Sequence, residues 1–411
     1  MQEKKLRIAV LSDSPTLCTG YRNNMVQLCR HLEKAGHEIH YLANGYMGAN
    51  LESVKLEGGE EFNYKIYAHG HNNQYFNQTM SQLLKQISPD RFIILLDTFM
   101  LFPWFQNIDT SPAKTFFWFP TDGGGGLPKG CEAILKKIDC PVAMSQFGQK
   151  QVKDYHNLEV AHIPHGVDSS AFYPLEEKDR NELRAKWGLS DKFVIGVVAR
   201  NQPRKNLDRT IKTMKLVAEK IPNAILFLHL DPKDPAQPMF QIHELVKKHN
   251  LENRVVYSGM SAHSGFPQSE MNNIYNLMDC FFLSTSGEGF GIPIIEAMSC
   301  QVPVLATDYT TTQELIKDNK AGLGIKLSGV EQLDLFKLNQ VEYDKLSLNG
   351  TMTGNWEVER GLCDIEHAAC QIKFLYDHPQ IAKSMGESGR NAVLTKYNFD
   401  LVGKAWEKII I

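Results

Sequence analysis

Residues 280–300 read CFFLSTSGEGFGIPIIEAMSC. Four apolar residues, Cys280–Leu283, have the length and composition of a fully buried strand. Gly287–Gly291 is a turn, and Pro293 suits the start of a helix, where its fixed φ and missing N–H cost nothing. A strand running through a glycine-rich loop into a helix is the repeating step of a parallel α/β sheet. The loop therefore ends at a helix N-terminus, whose unpaired N–H groups and macrodipole attract an anion. Yet Glu288 lies in the loop and Glu296 about one turn into the helix. A ligand that satisfies both features must carry negative charge and hydroxyl groups together.

The same step recurs outward from this stretch. On the N-terminal side come FVIGVVAR, AILFLHL and RVVYSG, separated by the helical patterns NLDRTIKTMKLVAEKI and FQIHELVKKHN; VPVLATD and GLGIKL follow on the other side. The first half has its own series in LRIAVLS, HEIHYLA, FIILLD, KTFFWFPTD, PVAMS and EVAHIPHGVD, with amphipathic segments such as NNMVQLCRHLEKAG between them. Runs without strict alternation, separated by helices, predict parallel sheets covered on both faces. The fold class expected is α/β, two doubly wound Rossmann-like domains facing across a cleft. The first is expected over 1–170 and the second over 185–395, with a polar linker between them. Residues 328–360 read as an irregular insertion, and a final amphipathic helix over about 398–411 is expected to pack back on the first domain.

A chain of 411 residues with 43% hydrophobic and 22% charged residues is a globular protein too large for one ordinary core. Its net charge of −3, with no long run of Lys and Arg, excludes nucleic acid as an expected partner. No apolar run reaches bilayer-spanning length, and the N-terminal MQEKKLRIAVLSDSP reads as a first strand, not a signal peptide. The eight cysteines show no CxxC spacing and predict free thiols in a reducing cytosol. Lys4, Lys5 and Arg7 read as a solvated terminus, with peripheral contact to an anionic membrane surface as the competing reading.

Ligands of doubly wound sheets bind at the carboxyl ends of the strands, so the chemistry is sought in the loops. Gly289 and Gly291 lack side chains and let backbone approach a ligand closely. Glu288 and Glu296 can each accept two hydrogen bonds side by side, matching the paired hydroxyls of a ribose or hexose. In VVARNQPRKNLDRTI, Arg200 closes a strand and Lys205 precedes a helix. Two cations there can bridge a diphosphate and neutralise a leaving group. No Asp-x-Asp occurs, and Asp231–Asp234 in DPKD has the wrong spacing, so neither metal nor another cofactor is expected. The aromatic runs FPWF at Phe102–Phe105 and FFWFP read as core, with an acceptor-lining surface as the alternative.

These motifs together resemble the retaining glycosyltransferases of family 4. GEGFGIPIIEAMSCQVPVLATD resembles their E-x7-E region and VVARNQPRKNLDRTI their Arg/Lys donor-phosphate loop. HIPHGVDSSAFYP is similar to the segment that closes their N-terminal domain, and SDSPTLCTGYRNNMVQLCRHLEKAGHEIHYL to their first strand, glycine loop and helix. The resemblance covers nearly the whole chain. It implies the GT-B fold and a nucleoside diphosphate sugar as co-substrate, with Glu296 on the ribose and Glu288 near the reacting sugar. The amides of Gly289, Phe290 and Gly291 would contact donor hydroxyls and phosphate, and Arg200 and Lys205 the departing diphosphate. The Gly20 loop would approach it from the other domain. An N-terminal-domain residue near the donor sugar is Asp122 in FFWFPTDGGGG or Asp97 in LLDTF, and turn formation before the glycine run is an equal reading of Asp122. The chain departs from the family in residues 328–360 and in Thr19-Gly20-Tyr21, where members often carry two glycines. The activity so implied is metal-independent, retaining transfer of a hexose-type sugar to an acceptor hydroxyl on a glycan, lipid or small molecule. A sugar-nucleotide epimerase, a non-catalytic nucleotide-sugar-binding protein and a glycan phosphorylase or synthase are the rivals. An NAD dehydrogenase is disfavoured because SDSPTLCTG lacks the GxGxxG fingerprint.

Overall fold

The computed structural model describes the whole chain except residues 1–4, 56–60, 71–72, 77, 102–108, 129–130, 234–239, 262–265, 267 and 335–356. FPWF, Lys4 and Asp234 therefore lie outside the described residues. The chain forms two compact units, Met1–His165 with Gln332–Val358 and Phe399–Ile411, and Gly166–Glu331 with Glu359–Asn398.

The first unit is built on β1 (Arg7–Asp13), β2 (Glu38–Asn44), β5 (Lys65–Ala68), β6 (Arg91–Leu95), β7 (Lys114–Phe119), β8 (Cys140–Ala143) and β9 (Ala161–His162), in the order β5-β2-β1-β6-β7-β8-β9. Every pairing in this seven-stranded sheet is parallel. A short antiparallel ribbon, β3 (Val54–Lys55) with β4 (Glu61–Phe62), stands beside it. The aromatic run of β7 is core, since Phe116, Phe117, Trp118 and Phe119 are wholly buried. Of EVAHIPHGVD, only Ala161–His162 pairs as strand.

The final helix Phe399–Ile410 groups with this unit. Trp406 is buried against the rings of Trp118 and Phe116, at 5.2 Å and 6.3 Å. Gly403 permits the approach, because a Cβ there would stand 2.4 Å from the His31 ring on the helix Gly20–Lys34. The guanidinium of Arg91 closes the end of the helix on the Ile410 carbonyl.

The second unit carries β10 (Phe193–Val198), β11 (Ala224–His229), β12 (Val255–Tyr257), β13 (Cys280–Leu283), β14 (Val304–Thr307) and β15 (Gly322–Ile325), in the order β12-β11-β10-β13-β14-β15. This six-stranded sheet is also parallel throughout. In both sheets the chain works outward from its first strand and then crosses to that strand's other side. The crossing creates a switch point, at β1/β6 in one unit and β10/β13 in the other, where a crevice opens at the carboxyl ends.

Two sequence expectations are corrected here. The polar linker is part of the second unit, because its helix Glu177–Lys186 is fastened there by a charge network around the buried Arg184. Arg184 lies 3.1 Å and Arg180 2.9 Å from Asp279, which also accepts the Val194 N–H. The flanks of the expected insertion are not irregular. β16 (Leu327–Asp334) pairs with β17 (Glu357–Cys363), and the residues between fall outside those described. No described helix is long and apolar enough to cross a membrane.

Candidate active site

The loops after β10 and β13 flank the switch point of the second unit. After β10 the chain makes a short 3-10 turn, Pro203–Lys205, and Asn206 takes a left-handed conformation before the helix Leu207–Ala218. That turn aims two successive cations at the neighbouring loop. Lys205 Nζ donates to Glu288 Oε1 at 2.5 Å, and Arg204 Nη1 to Glu288 Oε2 at 2.7 Å and to the Gly287 carbonyl. The Lys205 and Glu288 side chains are 7% and 4% exposed, so this is a buried ion cluster formed across 83 residues of sequence. Burial alone would raise the Glu288 carboxyl, but the charges of Arg204 and Lys205 outweigh it and hold the group down at about 2.

A row of hydroxyls locks the two loops together. Ser284 donates to the carbonyls of Lys205 and Asn206, and Thr285 and Ser286 to that of Arg204. On the other side the Glu288 N–H donates to Thr310 Oγ1, while Thr311 Oγ1 donates to the Phe290 carbonyl. Gly291 then opens the helix Ile292–Ser299 at φ 100°, a conformation that costs a side-chain-bearing residue strain. Phe290 is buried, with the Tyr397 ring at 6.0 Å, and Gly289 is half-buried.

Glu296, in the second turn of that helix, is 8% exposed. Tyr275, on the helix Gln268–Asn276, donates its hydroxyl to Glu296 Oε2 at 2.6 Å. Burial pushes this carboxyl up to about 7, and the Tyr275 hydrogen bond offsets only part of the rise. The two glutamates of one loop–helix step thus have opposite electrostatics. One is held ionised by cations, and the other is poised near neutrality by an apolar surround.

In the first unit, Gly20 begins the helix Gly20–Lys34, capped by Thr19, whose side chain accepts the Arg22 N–H and donates to Asp13 at 2.7 Å. Asp97, two residues beyond β6, accepts the Tyr21 hydroxyl at 2.7 Å. Asp122 is half-buried in the loop after β7. The glycine run beside it is pinned where Gly126 and Leu127 donate to Gln151 and His156. These loops follow adjacent strands, so β1, β6 and β7 carry Gly20, Asp97 and Asp122 on one edge of the sheet.

The structure therefore joins Lys205 with Glu288 and sets Glu296 in the helix behind them. Arg200 is exposed after β10, and the cation beside Lys205 on Glu288 is Arg204, because the 3-10 turn brings residues 204 and 205 to the same carboxylate. Sequence reasoning missed Arg204 although it adjoins Lys205. It also missed Thr310 and Thr311, for which the threonine run after β14 was a signal. Nothing local marked Tyr275, whose partner lies on another helix.

Residues 179–341 match the family described as Glycosyl transferases group 1. A mannosylfructose-phosphate synthase from Agrobacterium fabrum is 29% identical over 224 residues, covering 53% of this chain and 47% of that protein. A GDP-mannose-dependent alpha-(1-6)-phosphatidylinositol monomannoside mannosyltransferase from Mycolicibacterium smegmatis is 26% identical over 179 residues, 42% of this chain and 44% of its own length. The chain spans about half the length of the curated relatives it matches. Among solved structures, sucrose-phosphate synthase from Thermosynechococcus elongatus superposes with a TM-score of 0.70 at 16% identity, covering 98% of each chain. Anabaena HepE in complex with UDP-glucose gives 0.70 at 13% identity, over 98% of this chain and 99% of that one. At such identities the likeness is one of fold. Residues 179–341 are thus similar in sequence to group 1 glycosyltransferases, within a chain whose two Rossmann-like units have the GT-B fold.

Proposed function

We propose that this protein is a retaining glycosyltransferase of the E-x7-E type, moving a hexose-type sugar from a nucleoside diphosphate sugar to an acceptor hydroxyl without a metal. The observation that carries the reading is the buried cluster of Lys205, Arg204 and Glu288 at the β10/β13 switch point, beside the N-terminus of the helix that holds Glu296. Cations, helix amides and carboxylates in one crevice match a ligand with phosphates and sugar hydroxyls. The mannosyl and UDP-glucose names among the relatives and fold neighbours support a hexose donor.

In this reading Glu296 binds the ribose diol and the amides of Gly289, Phe290 and Gly291 take phosphate and sugar oxygens. Lys205, Arg204 and Arg200 neutralise the diphosphate. The bond from the anomeric carbon to the β-phosphate oxygen breaks and the acceptor oxygen bonds to the same face of that carbon. The acceptor proton passes to the departing phosphate, which retains configuration. The family resemblance would assign Asp122, or Asp97, of the first unit a role toward the donor sugar. Metal independence rests on the missing Asp-x-Asp and on the cations that replace it. The free cysteines support a cytoplasmic setting.

The test is a panel of UDP-, GDP- and ADP-hexoses with simple acceptors and EDTA present, with the product anomer read by NMR. A retained anomer, with activity lost in Lys205→Ala and Glu296→Ala, is the expected result. Near-normal turnover in either variant sinks the assignment. Epimerised donor without acceptor would make it an epimerase, and binding without sugar release a non-catalytic protein.

A further inference from the structure

Glu296 would bind a diol only if its carboxyl is held at a fixed angle, and the structure supplies the holder. The Tyr275 hydroxyl is 2.6 Å from Oε2, and among the described residues it is this carboxyl's hydrogen-bond partner. The Tyr275 ring has no exposure and cannot turn aside. Phe172 meets it edge-on at 5.9 Å, and Phe281 of β13 packs at 6.1 Å. Phe172 is fixed in turn, since its carbonyl accepts Ser299 Oγ at 2.6 Å and Arg390 Nη1 at 2.7 Å. Desolvation, and then the neighbouring Glu296, push the Tyr275 phenol well up, so it stays a donor at any working pH.

We propose that Tyr275 is a positioning residue of the donor site, gripping Glu296 by Oε2 so that Oε1 is presented to a vicinal diol of the nucleotide ribose. This deepens the reading above and rests on Glu296 meeting the ribose. A carboxylate accepts from two diol hydroxyls only when ionised, so the grip also sets the pH at which the site becomes competent. The other titratable groups near the helix Ile292–Ser299 do not mask this effect. Cys300 is kept a neutral thiol by burial and donates to Asn272. Arg390 of the helix Pro379–Ala392 is spent on the carbonyls of Phe172 and Ser299. Lys396 and Tyr397 engage Asn319, and Glu288 is held by its own cations.

The experiment titrates UDP, GDP and ADP calorimetrically between pH 5.5 and 8.5 against wild type, Tyr275→Phe and Glu296→Ala. In the wild type, affinity for the nucleotide that binds climbs as pH rises through about 7, where Glu296 ionises. Tyr275→Phe removes one charge-directed hydrogen bond, so affinity at pH 7 falls about tenfold and the midpoint moves up by about one pH unit. Donor KM rises by the same factor while kcat changes less than about twofold. Should Tyr275→Phe fold poorly, difluorotyrosine at position 275, a stronger donor, must move the midpoint down. If Tyr275→Phe binds like wild type at every pH while Glu296→Ala is weakened, the positioning role is wrong and the site reading stands. If neither variant is weakened, the ribose assignment of Glu296 falls, and the role of Tyr275 with it.

Discussion

Replacing Glu288 by Gln tests the ion cluster with the fewest side effects, because it keeps the shape of the side chain and removes only its charge. Arg204 and Lys205 bring the carboxyl from 4.5 to about 2 despite its burial, which corresponds to about 3 kcal/mol in favour of the ionised form. The geometry agrees, since a 7%-exposed lysine left without its counter-charge typically costs about 3–5 kcal/mol. We therefore expect Glu288→Gln to lose about 3 kcal/mol of unfolding free energy at pH 7, measured in urea. The sign with pH follows from the depressed folded-state value. This stability is complete above about 4.5 and drains away as pH falls towards about 2, so wild type and variant should converge in acid. Ligand binding moves the other way. Without the competing carboxylate, both cations are left for phosphate oxygens, so inorganic pyrophosphate should bind the variant more tightly while sugar transfer falls. A variant within about 0.5 kcal/mol of wild type at pH 7, with unchanged pyrophosphate affinity, would refute the claim that Glu288 is held by these cations.

Glu296→Gln should have the opposite pH signature. A carboxyl raised to about 7 releases its proton later in the folded state than in the unfolded chain, so wild-type stability falls as pH rises from 4.5 to 7. The variant should gain up to about 3 kcal/mol over wild type at pH 8 and little at pH 4.5, read from paired unfolding curves while donor binding is lost. Gly291→Ala forces a Cβ onto φ 100°, 3.0 Å from Ile294, and should cost about 1–3 kcal/mol and weaken nucleotide binding, checked by melting and titration. Asp279→Ala removes the counter-charge of the 5%-exposed Arg184, which keeps its bonds to the Leu277, Leu189 and Lys192 carbonyls, and should destabilise by about 1–3 kcal/mol, seen as a lower Tm, without altering the pH midpoint of nucleotide binding.

The residues 280–300 announced a strand, a glycine loop and a helix, and the structure has all three in those places. Such signals are local: apolar run length, a glycine at positive φ, a proline at the start of a helix. Repetition of the step along the chain was enough to specify two doubly wound sheets, because parallel strands need a helix between them. The partner of each charge was not legible. Glu288 and Lys205 are 83 residues apart, and only the crossing from β12 to β13 makes their loops neighbours. Arg204 joins Lys205 on Glu288 because a 3-10 turn, invisible in composition, brings both to the same carboxylate. The polar appearance of 169–192 suggested a linker, and burial of Arg184 on Asp279 made it part of a core. Sequence alone thus determined the elements and the residue types in each loop. Tertiary structure decided which charges meet and which carboxyl is held ionised by cations while the other is pushed towards neutrality by burial, because desolvation and pairing depend on distances that chain order does not encode.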